Sequence, residues 1–355
     1  MADLTSRLVE QVLQARAEHT PVHIIGGQTK AHLGRCPALG SKPPMLLDMT
    51  EHTGVISYSP TELVIRARAG TKISDLNKVL SEQHQRLPFE PPTYNDQATI
   101  GGTVAASQSG PARPWYGAVK DSLLGLGLVN GYGEAMQFGG QVMKNVAGFD
   151  VTRLQAGAMG SLGVITEVSI KLLPQFNASH TLVFELEPQA ALQRMQTWAS
   201  QSLPISGVCY WQSQLYVRLQ GGTSGVAEAA QQLSGQTLDA EVAQDFWQQV
   251  REHQLLVPQD DQTLWRWSGP ASAPLEALPA TQLINWAGSE RWALTADNQP
   301  PTTDLGPGLC QYRGGDRQAE VNPVLNAHDQ ALQRRIKQAF DPDGLFNAGR
   351  LYAWL

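Results

Sequence analysis

The sequence predicts an α+β protein with two domains, and three observations indicate this class. The chain has 355 residues, which exceeds one compact core at roughly 100 to 200 residues per domain. Hydrophobic residues make up 42% and charged residues 16%, against roughly 25% charged in an average soluble chain. The chain should therefore bury much of its surface in a core or have a face that is covered. Strand-like apolar runs and helical patterns alternate along the chain, so neither an all-α nor an all-β fold is expected.

The first domain is predicted from an opening helix followed by short strands. Leu4, Leu8, Val12 and Ala15 recur at helical spacing, and Thr20-Pro21 prevents the helix from continuing. Glycines inside the run 123–130 are unusual for a strand and often mark the close approach of another backbone or a ligand. The predicted elements are a helix over 4–17, strands over 22–25, 45–49, 55–58 and 63–68, a helix over 73–83, a hairpin of 123–130 with 134–138, and a strand over 164–173 that stops at Pro174.

After Pro174 the pattern changes, and we place the first domain boundary there. Strands over 181–187, 206–212 and 214–219 and helices over 190–200 and 226–233 follow in the order β-α-β-β-α. That order begins a ferredoxin-like split βαβ unit. The stretch 269–307, rich in Pro, Ala and Ser, predicts no element. A last helix over 324–340 ends at Asp341-Pro-Asp-Gly344.

Charge and composition exclude several functions. Lys and Arg number 26 against 32 acidic residues, a net charge of -6, and no basic stripe is present, so nucleic acid is not expected as a partner. Charges at Asp3, Arg7 and Glu10 interrupt any apolar signal core, which predicts a cytoplasmic protein. No run approaches the roughly 18 apolar residues that cross a bilayer, so membrane association is expected only peripherally, through partners.

The cysteines provide no metal-ligand spacing. Cys36, Cys209 and Cys310 lie far apart and form no CxxC. An iron-sulfur cluster held by this chain is therefore not expected, and no metal site is predicted.

The first candidate for chemistry is the glycine loop, Gly26-Gly27-Gln28-Thr29-Lys30, which follows the predicted strand 22–25. Successive backbone N–H groups in such a turn can form an anion-binding concavity, and glycine lets a phosphate approach closely. An ordinary strand-to-loop turn is the alternative. The pattern is neither GxGxxG nor GxxxxGK[ST], so it supports neither a Rossmann nor a P-loop site.

The second candidate is the segment in which Thr99 precedes Gly101 and Gly102 and a run of small residues. Thr99 is predicted to cap a helix whose free N–H groups point outward, and the small side chains leave room for a diphosphate. Tight packing of a helix on a sheet selects the same small residues and is the alternative. The presence of two such segments favours phosphate binding.

Several motifs together carry a family resemblance. They are the Gly-Gly-x-Thr-Lys loop, Pro91-Pro92, and the segments 98–102, 142–150, 160–166 and 340–350. In combination they resemble the FAD-linked oxidases of the vanillyl-alcohol oxidase type, whose FAD-binding domain is called PCMH-type. More narrowly, the chain is similar over nearly its whole length to the E-type FAD-binding subunits of bacterial glycolate dehydrogenase, also called glycolate oxidase.

The resemblance implies FAD as the cofactor, bound by a PCMH-type two-lobed α+β domain over residues 1–175. A ferredoxin-like cap domain would cover 176–320, and a C-terminal segment, 321–355, would return to the FAD domain. The family pattern assigns the diphosphate to Gly26, Gly27, Thr29, Lys30, Thr99, Gly101 and Gly102, the adenine side to Pro92, Gly160 and Ile165, the path toward the flavin ring to Ser107, Ser109, Gly110 and Gly117, and contact with the isoalloxazine to Asn347.

Two departures from the family pattern affect the cofactor. Covalent members carry a histidine on the first glycine loop, where this chain has Gln28 and Thr29, and His32 is out of register. The resemblance therefore implies non-covalent FAD. The family's terminal Asn-Pro-Gly-Arg is Asn347-Ala-Gly-Arg350 here, which removes a fixed φ from the turn.

Catalytic residues remain unknown at this stage. Oxidation of a 2-hydroxy acid needs an arginine for the carboxylate and a base for the hydroxyl proton. Arg113, Arg153 and Arg350 are candidates, although solvated or ion-paired arginines are the alternative for each. No base stands out, and Lys144 with Asp150 is interpreted as a structural ion pair.

The resemblance implies an FAD-binding subunit of a glycolate dehydrogenase complex, which oxidises the small 2-hydroxy acid glycolate to glyoxylate. Electrons would leave through a homologous catalytic FAD subunit and an iron-sulfur subunit, with the complex in the cytoplasm or peripheral at the inner membrane. Two alternatives stay open: a non-catalytic structural subunit of the same complex, and a stand-alone FAD-dependent sugar or lactone oxidase.

Overall fold

The computed structural model describes residues 3–37, 42–140, 150–296, 299–303 and 308–355. The chain forms two compact units. The first unit contains 1–108, 118–174 and 317–355, and the second contains 109–117 and 175–316. The sequence-based division assigned 109–117 to the first domain and 317–320 to the cap, whereas 109–117 belong to the second unit and 317–320 to the first. The segment 142–150 of the family pattern lies outside the described residues except for Asp150.

Both units mix helices and strands, which confirms the α+β class. The helices are α1 (Thr5–Ala17), α2 (Ile73–Ser81), α3 (Ile100–Ala106), α4 (Arg113–Tyr116), α5 (Val119–Ser122), α6 (Val151–Gln155), α7 (Pro188–Ala199), α8 (Thr223–Leu233), α9 (Ala240–Arg251) and α10 (Ala327–Phe340). The strands are β1 (Val22–Ile25), β2 (Met45–Asp48), β3 (Val55–Ser59), β4 (Val64–Arg68), β5 (Gln85–Arg86), β6 (Leu123–Val129), β7 (Ala135–Gly139), β8 (Val164–Lys171), β9 (Leu173–Pro174), β10 (Ala178–Glu185), β11 (Ile205–Trp211), β12 (Gln214–Gly221), β13 (Gln236–Thr237), β14 (Gln262–Ser268), β15 (Leu283–Asn285), β16 (Glu290–Ala296) and β17 (Leu309–Arg313).

A small parallel sheet in the first unit leads directly to the glycine loop. Strand β1 pairs with β2 in parallel, and the C-terminal segment adds to the other edge of β1 through a parallel bridge between Val22 and Phe346. The Val22 N–H donates to the Leu345 carbonyl at 2.7 Å, and the Asn347 N–H donates to the Val22 carbonyl at 3.0 Å. Both edges of β1 are thus held where the chain enters Gly26.

The main sheet of the first unit is antiparallel, with strand order β3-β4-β8-β6-β7. The pairing of β6 with β8 shifts register at Leu123/Gly125 and at Gly127/Leu128. A Cβ on Gly127 would lie 2.5 Å from Thr166 Oγ1 and 2.6 Å from Glu167 Cγ. The neighbouring strand β8 therefore explains a glycine that is unusual for a strand interior.

Apolar side chains from α1, α2, α3 and the main sheet form the core of the first unit. His52 lies within it at 1% exposure. Its Nδ1 accepts from the Leu4 N–H at 3.0 Å, and its Nε2 lies 2.9 Å from the Thr166 carbonyl. Because Nδ1 is an acceptor, Nε2 must carry the proton, so the ring is neutral. It ties the start of α1 to strand β8.

The second unit contains an eight-stranded antiparallel sheet with strand order β13-β10-β12-β11-β15-β16-β14-β17. Strand β12 lies between β10 and β11, which is the split β-α-β arrangement expected of a ferredoxin-like unit. The sequence-based prediction missed α9 and β14. It also missed β15 and β16, which lie in the Pro-, Ala- and Ser-rich stretch. Strand β15 has only three residues, too few for a period to be recognised.

In the described part of the chain, no helix combines the length and the apolar composition that crossing a membrane requires.

Candidate functional site

An open cleft in the first unit lies where β1 ends and enters the glycine loop. It is open to solvent and spans about 700 Å³ of free space, including solvent at its mouth. Its wall is completed by one side of α3, by Met159 and by the C-terminal residues Asn347 and Arg350. A second recess of about 450 Å³ shares Ile24, Gly26, Thr99 and other lining residues with the first and extends the cleft toward β8.

The structure brings ten of the predicted site residues together around these two recesses. The first recess is lined by Gly26, Gly27, Thr29, Lys30, Thr99, Gly102 and Asn347. The second recess adds Gly101, Gly160 and Ile165. Residues from four separate parts of the sequence therefore converge on one cleft.

The other five predicted residues lie elsewhere. Pro92 and Ser107 belong to the first unit but line neither recess. Ser109, Gly110 and Gly117 belong to the segment that folds with the second unit. There the Gly110 carbonyl accepts from Trp286 Nε1 at 2.9 Å, and Gly117 ends α4 with a φ of 87°.

The glycine loop offers N–H donors that the protein itself does not use. Within the described part of the chain, the N–H groups of Gly26, Gly27, Gln28 and Thr29 have no hydrogen-bond acceptor. Gln28 has a φ of 52°, and alternation of right- and left-handed backbone is the geometry in which successive N–H groups converge. Since these residues line the cleft, the loop is suited to bind an anion.

Gly27 occupies a position with no space for a side chain. A Cβ at this position would lie 1.8 Å from the Gln97 carbonyl oxygen. Any side chain would therefore displace the backbone that precedes Thr99.

The prediction that α3 presents free N–H groups is wrong. Thr99 does cap the helix, since its Oγ1 accepts from the Gly102 N–H at 3.2 Å. However, the Ile100 N–H donates to the Thr71 carbonyl at 2.9 Å and the Gly101 N–H to the Ala69 carbonyl at 2.8 Å. The backbone that follows β4 satisfies these donors, so the start of α3 contributes little hydrogen bonding to a ligand.

Gly101 and Gly102 have different roles. A Cβ on Gly101 would lie 2.6 Å from the Cβ of Ala69, so this glycine reflects tight packing. A Cβ on Gly102 would meet only Thr99 Oγ1 within 4 Å, at 3.1 Å. Gly102 lines both recesses. Gly102 therefore leaves open space beside the helix.

Cationic side chains make the cleft suitable for a negatively charged group. Lys30 Nζ lies 3.2 Å from Thr29 Oγ1, and Arg350 Nη2 donates to the Lys30 carbonyl at 3.2 Å. Burial lowers the pKa of Arg350, but a guanidinium stays charged at neutral pH. Burial, and then the charge of Arg350, lower the pKa of His23, so its ring is neutral at pH 7. The described lining contains no Asp or Glu.

Asn347 holds the cleft together through its side-chain amide. Its Oδ1 accepts from the Ile24 N–H at 3.0 Å, and its Nδ2 donates to the Met159 carbonyl at 2.6 Å. Its φ of 42° is one that asparagine tolerates better than most residues. Although Ala348 replaces the family's proline, the turn closes through the Arg350 N–H and the Asn347 carbonyl at 3.1 Å.

The arginines considered for carboxylate binding are all engaged. The Arg113 guanidinium lies 4.2 Å from the Trp286 ring centroid. Arg153 pairs with Asp150 at 3.2 Å, with both side chains 55% exposed, and Arg350 lines the cleft. Lys144, the predicted partner of Asp150, lies outside the described residues. Among the described residues, no group of three or more His, Cys, Asp or Glu is placed to hold a metal ion.

Sequence reasoning missed a buried ion pair next to this cleft. Lys337 and Asp341 are four residues apart at the end of α10, and Lys337 Nζ lies 2.6 Å from Asp341 Oδ2. Their spacing on a helix was a visible signal for the pair, but it did not indicate burial.

Comparison with known proteins gives the family. Residues 4–139 match the model of an FAD binding domain. The glycolate oxidase subunit GlcE of Escherichia coli K12 is 44% identical over 99% of both chains. The glycolate oxidase subunit GlcD of Bacillus subtilis is 28% identical over 49% of this chain and 37% of its own.

A solved structure shows the same fold. The chain is similar to p-cresol methylhydroxylase, with a TM-score of 0.69 and 13% identity, over 99% of this chain and 87% of that one. Together with the full-length similarity to GlcE and the match to an FAD binding domain, this establishes the family and its cofactor. The chain belongs to the PCMH-type family of FAD-linked oxidoreductases and binds FAD.

Proposed function

We propose that this chain is the FAD-binding subunit of a glycolate dehydrogenase complex that oxidises glycolate, a 2-hydroxy acid, to glyoxylate. The observation that carries the proposal is the end-to-end similarity to GlcE, at 44% identity over 99% of each chain. A domain shared with many flavoproteins would match over only part of the length. Similarity that includes the second unit favours the same role in the same kind of assembly.

The cleft of the first unit is the proposed site of FAD, and its residues fit that group. The unused N–H groups of Gly26 to Thr29 and the cations Lys30 and Arg350 are suited to the diphosphate. Gly102 leaves room beside it, and the family pattern adds Pro92, Gly160 and Ile165 on the adenine side. When bound, FAD supplies the two-electron acceptor for a carbon–hydrogen bond next to a hydroxyl. The missing loop histidine supports non-covalent binding.

Electrons are proposed to leave through partner subunits. The three cysteines of the sequence, Cys36, Cys209 and Cys310, have no cluster-binding spacing, so an iron-sulfur acceptor would belong to another chain. Partial similarity to GlcD supports a homologous FAD subunit as one partner. An iron-sulfur subunit is the second proposed partner.

A structural role in the same complex is the second candidate, and one observation favours it. The described lining of the cleft contains no carboxylate, and His23 is its one histidine. A hydroxy acid oxidase needs a base near the reacting carbon. In this alternative, the chain keeps its fold and its FAD, and a homologous subunit oxidises glycolate.

A variant of this chain inside the reconstituted complex distinguishes the two candidates. Gly102→Asp places a carboxylate beside the proposed diphosphate, whereas Gly102→Asn has nearly the same size without the charge. If this subunit's flavin participates in turnover, the complex with the Asp variant loses most of its glycolate oxidation and the Asn control retains more. Unchanged oxidation by a complex that has lost this subunit's flavin would establish the structural role instead.

A further inference from the structure

Lys337 and Asp341 form a buried ion pair behind the cleft. Lys337 is the buried residue of α10. The Lys337 side chain is 10% exposed and the Asp341 side chain is fully buried. Neither residue lines a recess of the cleft, so neither is placed to contact a cofactor bound there.

All the hydrogen-bonding capacity of the Lys337 ammonium is used. Besides Asp341, Nζ donates to the Ser161 carbonyl at 2.7 Å and to the Phe346 carbonyl at 3.0 Å. Asp341 in turn accepts from the Leu345 N–H at 2.9 Å and from the Phe346 N–H at 2.8 Å. The pair therefore joins two backbone segments that are far apart in sequence.

Both of these segments continue directly into the cleft wall. Ser161 follows Met159 and Gly160, which line the second recess. Phe346 precedes Asn347, whose amide joins Met159 to Ile24 of β1. Since β1 runs straight into the glycine loop, the position of that loop depends on the segment that the ion pair holds.

A purely stabilising role is a weaker explanation of this arrangement. Burying two charges carries a desolvation penalty that their attraction often fails to offset, and an apolar pair of similar size is commonly as stable or more so. What an apolar pair cannot reproduce is the set of directed hydrogen bonds to four backbone groups. Burial lowers the pKa of Lys337, and the neighbouring carboxylate of Asp341 acts in the opposite direction.

We propose that Lys337 and Asp341 are positioning residues for FAD. They hold the Met159–Ser161 loop and the Leu345–Asn347 segment in register with β1, so that the glycine loop is formed before FAD binds. This inference rests on the proposed placement of FAD in the cleft. Without the pair, a smaller fraction of the protein has the arrangement that binds FAD. The apparent dissociation constant for FAD equals the intrinsic constant divided by that fraction, so it rises.

The test compares FAD affinity with local structure in the full-length apoprotein. Lys337→Met leaves Asp341 unpaired, whereas the double variant Lys337→Met/Asp341→Asn removes both charges and avoids a buried lone carboxylate. Arg335→Met, on an exposed position of the same helix, is the matched control. FAD dissociation constants come from equilibrium titration, and hydrogen exchange reports on individual peptides.

The double variant is expected to remain folded and to bind FAD about tenfold more weakly or worse, which corresponds to a competent fraction of about one tenth. Hydrogen exchange should accelerate in peptides containing Ile24 and Asn347 but not in the second unit, and Arg335→Met should match the wild type. Exchange that accelerates equally throughout the chain, or FAD affinity that is unchanged, overturns the proposal.

Gly102→Asp separates this inference from the placement of FAD. Loss of FAD in Gly102→Asp together with wild-type affinity in the double variant overturns the positioning role alone. Retention of FAD in both variants overturns the placement of FAD in this cleft, and the positioning role with it.

Discussion

At the scale of single residues, the cleft shows which roles can be predicted from local sequence. The glycine loop was predicted because its glycines and its Lys30 are adjacent in the chain, and it has the unused N–H groups that an anion needs. The donors at the start of α3 were wrongly predicted to be free. Their acceptors, the carbonyls of Ala69 and Thr71, lie about 30 residues earlier. Such a contact is invisible to a local pattern.

Gly102→Asp is expected to abolish FAD binding in a folded protein. A carboxylate about 4 Å from a phosphate repels it by about 4 kcal/mol at an effective dielectric constant of 20, so the dissociation constant should rise at least about a hundredfold. FAD titration of the apoprotein measures this change, and circular dichroism checks the fold.

Two controls accompany that variant. Gly102→Asn adds almost the same bulk and isolates the effect of charge. Gly222→Asp introduces the same carboxylate at an exposed position with no heavy atom within 4 Å of the new Cβ. An Asp variant that binds FAD as tightly as either control contradicts the assignment of Gly102.

At the scale of elements, regular segments were predicted and their long-range pairing was not. Strand β1 was predicted with its observed limits, and α1 differs by one residue at its start. Helix α10 begins three residues later than predicted. Residues 345–347 add to β1, and Lys337 contacts Ser161; both contacts join positions more than 170 residues apart. Neither has a signature in hydrophobic periodicity.

The junction between α1 and the main sheet should depend on pH through His52. Burial lowers the pKa of His52, so the unfolded chain binds a proton at a higher pH than the folded protein does. The contribution of the neutral His52 ring to the free energy of unfolding is full above the ordinary histidine pKa of about 6.5. It declines as the pH falls from that value toward the pKa of His52 in the folded protein. We expect the unfolding midpoint in urea to decrease between pH 7 and pH 5.

His52→Gln is the matched variant for this pH dependence. It should be less stable at pH 7, because it loses the bonds to Leu4 and Thr166, but its stability should change less between pH 7 and pH 5. His23 also has a lowered pKa and contributes in the same direction in both proteins. If the unfolding midpoints of the wild type and His52→Gln change in parallel with pH, His52 is not the source of the pH dependence.

At the scale of the whole molecule, the resemblance stated from the motifs predicted the family and FAD, because glycine loops and the terminal Asn-x-Gly-Arg motif are sequence-local. The catalytic residues could not be predicted from the sequence, and the described cleft lining adds no carboxylate that could act as a base. FAD binding is a property that the family gives this chain, whereas the proposal assigns turnover to the complex.

The isolated chain is therefore expected to oxidise glycolate slowly or not at all with an artificial electron acceptor. Adding the proposed partner subunits should restore turnover, because the described cleft lining has no carboxylate to act as a base, and a dye replaces the electron acceptor but not the base. Steady-state dye reduction by the purified chain and by the complex measures the difference. Equal rates per flavin would make this chain a complete dehydrogenase by itself.

The central claim is that this chain binds its own FAD without a covalent bond, and acid precipitation of the purified protein tests it most directly. The supernatant is assayed for flavin by its absorption spectrum and by chromatography against FAD. We predict a yellow protein that releases FAD into the supernatant, in an amount approaching one per chain. A colourless protein that takes up no added FAD, or flavin that remains with the precipitated protein, would contradict the account.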